Sequence, residues 1–248
     1  MINSIKEASN LIRGARHVTA FCGAGISVES GIPPFRGEGG LWSMYDPKFL
    51  DLDYFMQNPK ESWEVISEIF FDFFGKAEPN TAHYALARME EEGLIKAVIT
   101  QNIDNLHFQA GSRTVYEFHG TAQYLVCLDC AEKTHASEFD LKQLPPACPV
   151  CSSLVKPDFI FFGEMIPEPA NTLSFQEAEK ADVFLVIGTS GEIVPATMIP
   201  GTAARNGAKI IEVNIEPTSF TSGLTDVFLQ GKASEVLAAL AAETGIEL

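Results

Sequence analysis

Four of the five cysteines in this chain fall in two hooks, Cys127-Leu-Asp-Cys130 and Cys148-Pro-Val-Cys151, with 17 residues between them. No other feature restricts the fold as much. Each hook turns two sulfurs toward one point, and two hooks can close a tetrahedral metal site. Zinc held by four thiolates keeps no open position, so it staples a module and leaves the chemistry to other residues. Two local disulfides or two redox dithiols are the competing readings. Neither hook lies in a thioredoxin-like context, and the doubled spacing favours zinc.

The remaining sequence must supply a core and a site. A chain of 248 residues that is 46% hydrophobic can bury one large domain, or one domain with insertions. Its 17 basic residues face 33 acidic ones, a net charge of -16. That balance argues against nucleic acid as a partner, because backbone binding needs clustered Lys and Arg. It suits attraction of basic protein substrates, and equally well suits plain solubility. Residues 1–21 show no apolar block followed by a small-residue cleavage site. The longest apolar runs, such as Val183-Phe-Leu-Val-Ile187, are too short to span a bilayer. No membrane association and a reduced, cytoplasmic location are therefore expected, in keeping with thiols kept for metal.

Short apolar runs alternate with segments of helical period, the pattern of an α/β fold built on a parallel sheet. Strands are expected at 17–22, 95–100, 114–118, 158–162, 182–188 and 208–214. Helices are expected at 3–13, 59–74, 80–91, 168–180, 195–206 and 232–243, the second with Pro59 in its first turn. Two stretches break the alternation. One, 37–79, is rich in aromatics, Pro and Gly; the other, 121–157, holds the cysteine hooks. Residues 1–36, 80–120 and 158–248 then form the α/β domain. A helical insertion (37–79) and a zinc-binding insertion (121–157) form a smaller domain beside the ligand crevice.

The first strand runs into Gly23-Ala24-Gly25-Ile-Ser27, where glycine lets backbone approach a pyrophosphate. The fingerprint is imperfect, since Val28 stands where a third glycine is usual, and an ordinary tight turn remains open. Phe35 and Arg36 add an aromatic and a fixed cation to the same loop, although a core Phe and a surface Arg would read alike. Thr100-Gln101-Asn102-Ile103-Asp104-Asn105 ends the second long strand, Gly188-Thr189-Ser190 another, and Asn214-Ile215-Glu216 the last clear one. Polar groups at strand C-termini lie where open α/β sheets bind ligands, and a carboxylate there can accept from ribose hydroxyls. At Thr100–Asn105 a strand-to-helix turn capped by Asn or Asp is the alternative, though it predicts fewer amides. Of the five histidines, His17, His83 and His135 read as structural or solvated. His107 remains possible. His119, at a strand end beside the cysteine module, is best placed for proton transfer near neutrality.

Taken in order, Gly23-Ala-Gly-Ile-Ser through Arg36, Thr100 to Asp104, His119-Gly120, the four cysteines, Phe162-Gly-Glu164, Gly188-Thr-Ser190 and Asn214-Ile-Glu216 resemble the sirtuin family of NAD-dependent protein-lysine deacylases. The likeness runs from about residue 17 to residue 233. It implies a Rossmann-type NAD domain, a smaller zinc domain, and an acetyl-lysine protein or peptide entering the cleft between them. By the same resemblance, the loop from Gly23 through Ala24, Gly25, Ser27, Phe35 and Arg36 to Trp42 contacts NAD. Gln101 and Asn102 face the ribose, Ile103 is a further cofactor contact, and Asp104 anchors the nicotinamide carboxamide. Gly188, Thr189 and Ser190 take phosphate and ribose, Asn214 and Glu216 adenosine, with Ile215 a further cofactor contact, and Ala233 the adenine side. Ile160, Phe161, Phe162, Gly163 and Glu164 resemble the strand that pairs with substrate backbone. His119 is implied as the base that takes a proton from a ribose hydroxyl, giving nicotinamide, free lysine and O-acetyl-ADP-ribose. One structural zinc on Cys127, Cys130, Cys148 and Cys151 takes no part.

Departures from the family pattern are minor: Cys22 where a small hydroxyl residue is frequent, Lys156 for a commoner Arg, and the Gly191-Glu192-Ile-Val-Pro195 run. Relatives that remove acidic acyl groups resemble one another in a Tyr-x-x-Arg motif, whereas no Arg occurs here between Arg36 and Arg88. An uncharged acyl group is expected. Two other functions fit some of these features. A mono-ADP-ribosyltransferase or NAD hydrolase would share the activated ribose, and a non-enzymatic NAD-sensing zinc ribbon would share the folds but not need His119.

Overall fold

The computed structural model describes residues 2–35, 37 and 39–248, with the side chains of residues 72–74 outside that description. In chain order the first half runs α1 (Ile2–Gly14), β1 (Val18–Cys22), α2 (Leu52–Gln57), α3 (Pro59–Ile66), α4 (Thr81–Glu91), β2 (Ile95–Thr100), α5 (Leu106–Gln109) and β3 (Val115–Glu117). The second half runs β4 (Gly120–Cys127), β5 (Lys133–His135), β6 (Val155–Phe159), α6 (Ala170–Lys180), β7 (Val183–Ile187), α7 (Met198–Arg205), β8 (Lys209–Asn214), β9 (Val227–Gln230) and α8 (Ala233–Thr244).

β1 and β7 are buried at every position, as a strand covered on both faces must be. Their side chains divide by the two-residue period. Val183, Leu185 and Ile187 join a core with Leu86, Met89, Leu237 and Leu240, while Phe184 and Val186 join another with Ala178, Ile199 and Ala203. The sheet is therefore sandwiched, with α1, α4 and α8 on one face and α6 and α7 on the other. Its strand order is β3-β2-β1-β7-β8-β9, with all pairs parallel. The chain moves outward through β2 and β3, then returns beside β1 to run the other way. That reversal puts a topological switch point between the C-terminal ends of β1 and β7, where such sheets open a ligand crevice.

A second sheet, antiparallel and ordered β5-β4-β6, carries the cysteine hooks at its far end. It shares a separate core with α2, α3 and the loop after β1, built on Leu41, Phe55, Trp63, Ile66, Leu125, Val155 and Phe161. The Trp63 indole N–H donates to the Val155 carbonyl (2.9 Å), tying the helical insertion to this sheet.

Three expectations need correction. The strand expected at 158–162 lies at Val155–Phe159 and pairs with β4, outside the parallel sheet. The sixth parallel strand is β9, which sequence reading missed because Val-Phe-Leu-Gln is short and follows a polar loop. The helix expected over 59–74 is α-helical only to Ile66 and continues as a wider π-wound segment, Ser67–Phe73.

Candidate active site

The loops after β1 and β7 meet backbone against backbone. Gly23 N–H donates to the Ile187 carbonyl (2.9 Å) and Gly25 N–H to that of Gly188 (2.8 Å). A Cβ on Gly25 would lie 2.6 Å from the Gly188 Cα, and one on Gly188, whose φ is 60°, would lie 2.5 Å from the Ile26 nitrogen. No side chain fits at either position. Among the described residues, the N–H groups of Ala24, Thr189 and Ser190 donate to nothing in the protein. They stand at the crevice mouth, with the exposed Ser190 hydroxyl beside them. Free backbone donors at strand ends, where glycine removes the Cβ, fit the pyrophosphate of a dinucleotide.

The β2 end reaches across to both loops. Gln101 Nε2 donates to Thr189 Oγ1 (3.1 Å), and Asn102 Nδ2 donates to the Gly23 carbonyl (3.3 Å) and to Ser27 Oγ (3.1 Å). The Ser27 hydroxyl, fully buried, donates in turn to Asp104 Oδ2 at 2.7 Å, while Leu106 N–H donates to Oδ1 at 3.0 Å. Burial pushes the Asp104 carboxyl up, against the Leu106, Ser27 and Asn102 hydrogen bonds that hold it down. Ser27 thus has its hydroxyl committed to this network. Ile103 faces the second core, with its carbonyl taken by Ala122 N–H (3.1 Å).

His119 lies between β3 and β4, immediately before Gly120. Its Nδ1 lies 3.0 Å from the Gln101 carbonyl, which can only accept. Nδ1 therefore carries the proton, and Nε2 keeps its lone pair for another partner. Burial pulls the imidazole down from its ordinary value, partly offset by the Gln101 bond, so the neutral base persists. Gly120 is compelled here. With φ of 78°, any Cβ on it would collide with the Asp158 carbonyl, so only glycine lets the chain turn from His119 into β4. Two residues earlier, Glu117 is pushed up to about 7 by burial, with Thr121 opposing and Asp104 and Asp158 adding repulsion.

Beyond β6 the chain stays extended. Ile160 N–H donates to the His119 carbonyl (2.9 Å), and Phe162 exchanges bonds with Leu50 (2.8 Å) and Leu52 (3.1 Å). Phe161 points into the core, its ring 5.1 Å from that of Phe55, while Phe162 is exposed. Phe161 N–H is taken by the Glu164 carboxylate at 2.6 Å, and that carboxylate pairs with buried Lys156 at 3.1 Å. Among the described residues, Gly163 makes no hydrogen bond and nothing donates to the Ile160 carbonyl, so this run keeps free backbone groups. Phe35 and Phe162 flank Trp42, with ring centroids 5.4 and 6.3 Å away. Arg36 lies outside the described residues.

On the far side, Asn214 Nδ2 donates to the Thr189 carbonyl (3.1 Å), and Ile215 and Glu216 are exposed. Ala233 opens α8, whose first turn is tied to the β1 loop by two Ser234 bonds to Glu29 (3.0 and 2.7 Å).

The four cysteine sulfurs all lie within 4.8 Å of one another, and the closest pairs are 3.4, 3.5 and 3.7 Å apart. A disulfide needs about 2.05 Å, whereas tetrahedral zinc at about 2.3 Å from each sulfur sets S···S edges of about 3.8 Å. Backbone N–H groups of Asp129, Cys130 and Val150 donate to Cys127 and Cys148 sulfurs at 3.4 to 3.5 Å, as suits thiolates. The donor set fits zinc.

His83 belongs to the site's frame, although sequence reading set it aside. Asn80, the cap of α4, donates to the Ile26 carbonyl (2.8 Å) and to Ser30 Oγ (3.0 Å). Its N–H donates to His83 Nδ1 (3.3 Å), and the His83 Nε2 faces Ser27 Oγ at 3.5 Å. An Asn three residues before a His, opening a helix, was the available signal. His107 packs edge-on against His83 at 4.9 Å and is buried.

Comparison with known proteins follows the same lines. The sequence profile described as the Sir2 family matches residues 23–195. The chain is 45% identical over 247 residues to the NAD-dependent protein deacylase of Pyrococcus furiosus, covering 96% of each. It superposes with TM-score 0.90 and 36% identity on a Sir2 complex with a p53 peptide and NAD+, covering 98% of this chain and 99% of the other. A Sir2 variant with deacetylated p53 peptide and 3'-O-acetyl ADP-ribose matches at TM-score 0.92 and 35% identity, again over 98% and 99%. Among the described residues, no helix is long and apolar enough to cross a membrane.

Proposed function

Because the chain belongs to the Sir2 family, we infer that its crevice joins NAD to an acyl-lysine peptide and that His119 is the base at their meeting point. The chain is an NAD-dependent protein deacylase, with NAD as co-substrate. When bound, NAD supplies the activated ribose that accepts the acyl group and releases nicotinamide. The observation that carries the residue-level reading is the Nδ1–H bond from His119 to Gln101, which leaves Nε2 as acceptor for a ribose hydroxyl proton. Asp104, held by Ser27 and Leu106, presents carboxylate to an amide and orients the nicotinamide carboxamide. Ala24, Thr189 and Ser190 donate backbone N–H to the pyrophosphate. Phe35, Trp42 and Phe162 exclude water from the reacting end. The peptide backbone pairs along the run from Ile160 to Glu164, where the Ile160 carbonyl and Gly163 keep free groups. The four-thiolate zinc holds the small sheet together and remains apart from the chemistry. Acetylated proteins in a reduced, cytoplasmic compartment are the substrates this chain suits.

Asp104→Asn keeps the shape but can turn an NH2 toward the carboxamide. Nicotinamide inhibition and base exchange are expected to weaken about 10-fold or more, since hydrogen bonds to a charged group contribute about 1.5–3 kcal/mol. Unchanged exchange would reassign the anchor.

The acyl group is expected to be short and uncharged. Trp63, Ile66 and Phe70 on the helical insertion are buried, and the segment from 37 to 87 has no Arg to meet a carboxylate. Measured on one peptide, kcat/KM for acetyl-lysine should exceed that for succinyl-lysine by about 10- to 150-fold, with butyryl reporting tunnel length. Succinyl turnover equal to acetyl would overturn this assignment.

A further inference from the structure

Glu212 sits in the middle of β8 with no exposed surface, a carboxylate inside a strand where its neighbours Ile211 and Val213 are apolar. Among the described residues no cation pairs with it. Its partners are hydroxyls: Thr218 Oγ1 donates to Oε1 at 2.6 Å, and Thr221 and Thr225 donate to Oε2 at 2.8 and 2.7 Å. All three threonines come from the segment 215–226 that joins β8 to β9. Two of the hydroxyls are oriented in turn, because Thr218 Oγ1 accepts from Phe220 N–H (3.1 Å) and Thr221 Oγ1 from Thr218 N–H (2.7 Å). Their protons can then point only at the carboxylate.

The same segment leans on the crevice. Ser219 Oγ donates to the Ser190 carbonyl at 3.2 Å. The Phe220 ring closes against Gly191 so tightly that a Cβ there would lie 2.6 Å from a ring carbon. Ile215 and Glu216 open the segment, directly after Asn214, which itself bonds to Thr189. One buried carboxylate thus gathers a loop that touches both the Gly188–Ser190 turn and the Asn214–Glu216 end. A bare fold would not call for it: a charge without a cation is costly to bury, and an apolar side chain would fill β8 at lower cost.

We propose that Glu212 is a positioning residue for the adenosine half of NAD, acting through Thr218, Thr221 and Thr225 to fix the spacing between the Gly188–Ser190 turn and Asn214–Glu216. This rests on the reading of the crevice as the NAD site. It involves neither the peptide cleft nor His119.

The loop hydroxyls test it with little risk to folding. Thr221→Val keeps the shape and removes one donor, whereas Thr221→Ser keeps the donor. Glu212→Gln, as a second variant, loses the charge. Calorimetry with ADP-ribose, separate KM values for NAD and acetyl-peptide, and hydrogen exchange of amides 215–226 in the ligand-free protein give the readouts. Thr221→Val and Glu212→Gln should each weaken ADP-ribose binding and raise the NAD KM about 10-fold, the lower end of what losing a hydrogen bond to a charged group costs. Loop exchange should quicken, while the peptide KM and kcat stay as in the parent. Thr221→Ser should match the parent throughout. Variants that melt lower yet bind ADP-ribose as tightly as the parent would make Glu212 a purely structural residue and overturn the proposal. A parent that binds no ADP-ribose would instead overturn the NAD reading of the crevice, and the proposal with it.

Discussion

His119→Ala is expected to lower kcat for deacylation about 100- to 10,000-fold, the usual cost of removing a general base, while ADP-ribose still binds. The separation follows from geometry. Among the described residues, the His119 side chain bonds to no group of the loops after β1 and β7, and its one side-chain hydrogen bond goes to the Gln101 carbonyl. Losing that ring removes a proton acceptor without opening the network of Asn102, Ser27 and Asp104. The pH profile should carry the same signature. Burial holds the imidazole below its ordinary value of about 6.5, so kcat/KM should stay flat through neutrality and fall only as pH drops through that lowered value. The sign is fixed because the neutral ring is the working form. Steady-state kinetics and a pH–rate profile check both statements. Near-normal turnover in His119→Ala would remove it from the chemistry and leave buried His107, packed against His83, as the candidate base.

Cys127→Ser should lose metal and stability together. A tetrahedral zinc site with three thiolates loses the closure that makes it structural, and ligand loss is felt as folding free energy, about 10–16 kcal/mol for whole sites in zinc-finger peptides. Here the hooks close the end of the β5-β4-β6 sheet, with Cys127 the last residue of β4 and paired with Val155. That sheet also holds Phe161 and the extended run to Glu164, so activity should fall with it. Zinc content by mass spectrometry, melting temperature and turnover should drop in step for Cys127→Ser and Cys151→Ser. Cys22→Ser is the control. Cys22 is fully buried in β1, where burial and Asp104 push its thiol far up, and it is remote from the cluster. A Cys127 variant that lost zinc but kept its melting curve and turnover would show the metal to be dispensable.

Local chemistry made much of this legible before any fold was known. The hooks announce themselves because a ligand set depends on residue type and on spacings of a few residues. The glycines at 23, 25 and 188 follow buried apolar runs, so their place at strand ends could be read from periodicity. His119-Gly120 was recognisable as a strand end beside the hooks. What the sequence could not specify was who meets whom across the sheet. The strand expected at 158–162 has the composition of a core strand, yet Val155–Phe159 pairs with β4 because the hooks hold that partner nearby. The sixth parallel place went to β9, too short to carry a period. The bond that fixes the His119 tautomer joins residues on neighbouring strand ends, and the one that commits Ser27 spans 77 residues to Asp104. Strand order alone brings those groups together. Glu212 shows the division most plainly: nothing in the sequence around this carboxylate names its partners, and only tertiary packing supplied the three hydroxyls that allow it to stay buried. Residue type and short spacing are properties of the chain, whereas hydrogen-bond partnership is a property of the distances that folding creates.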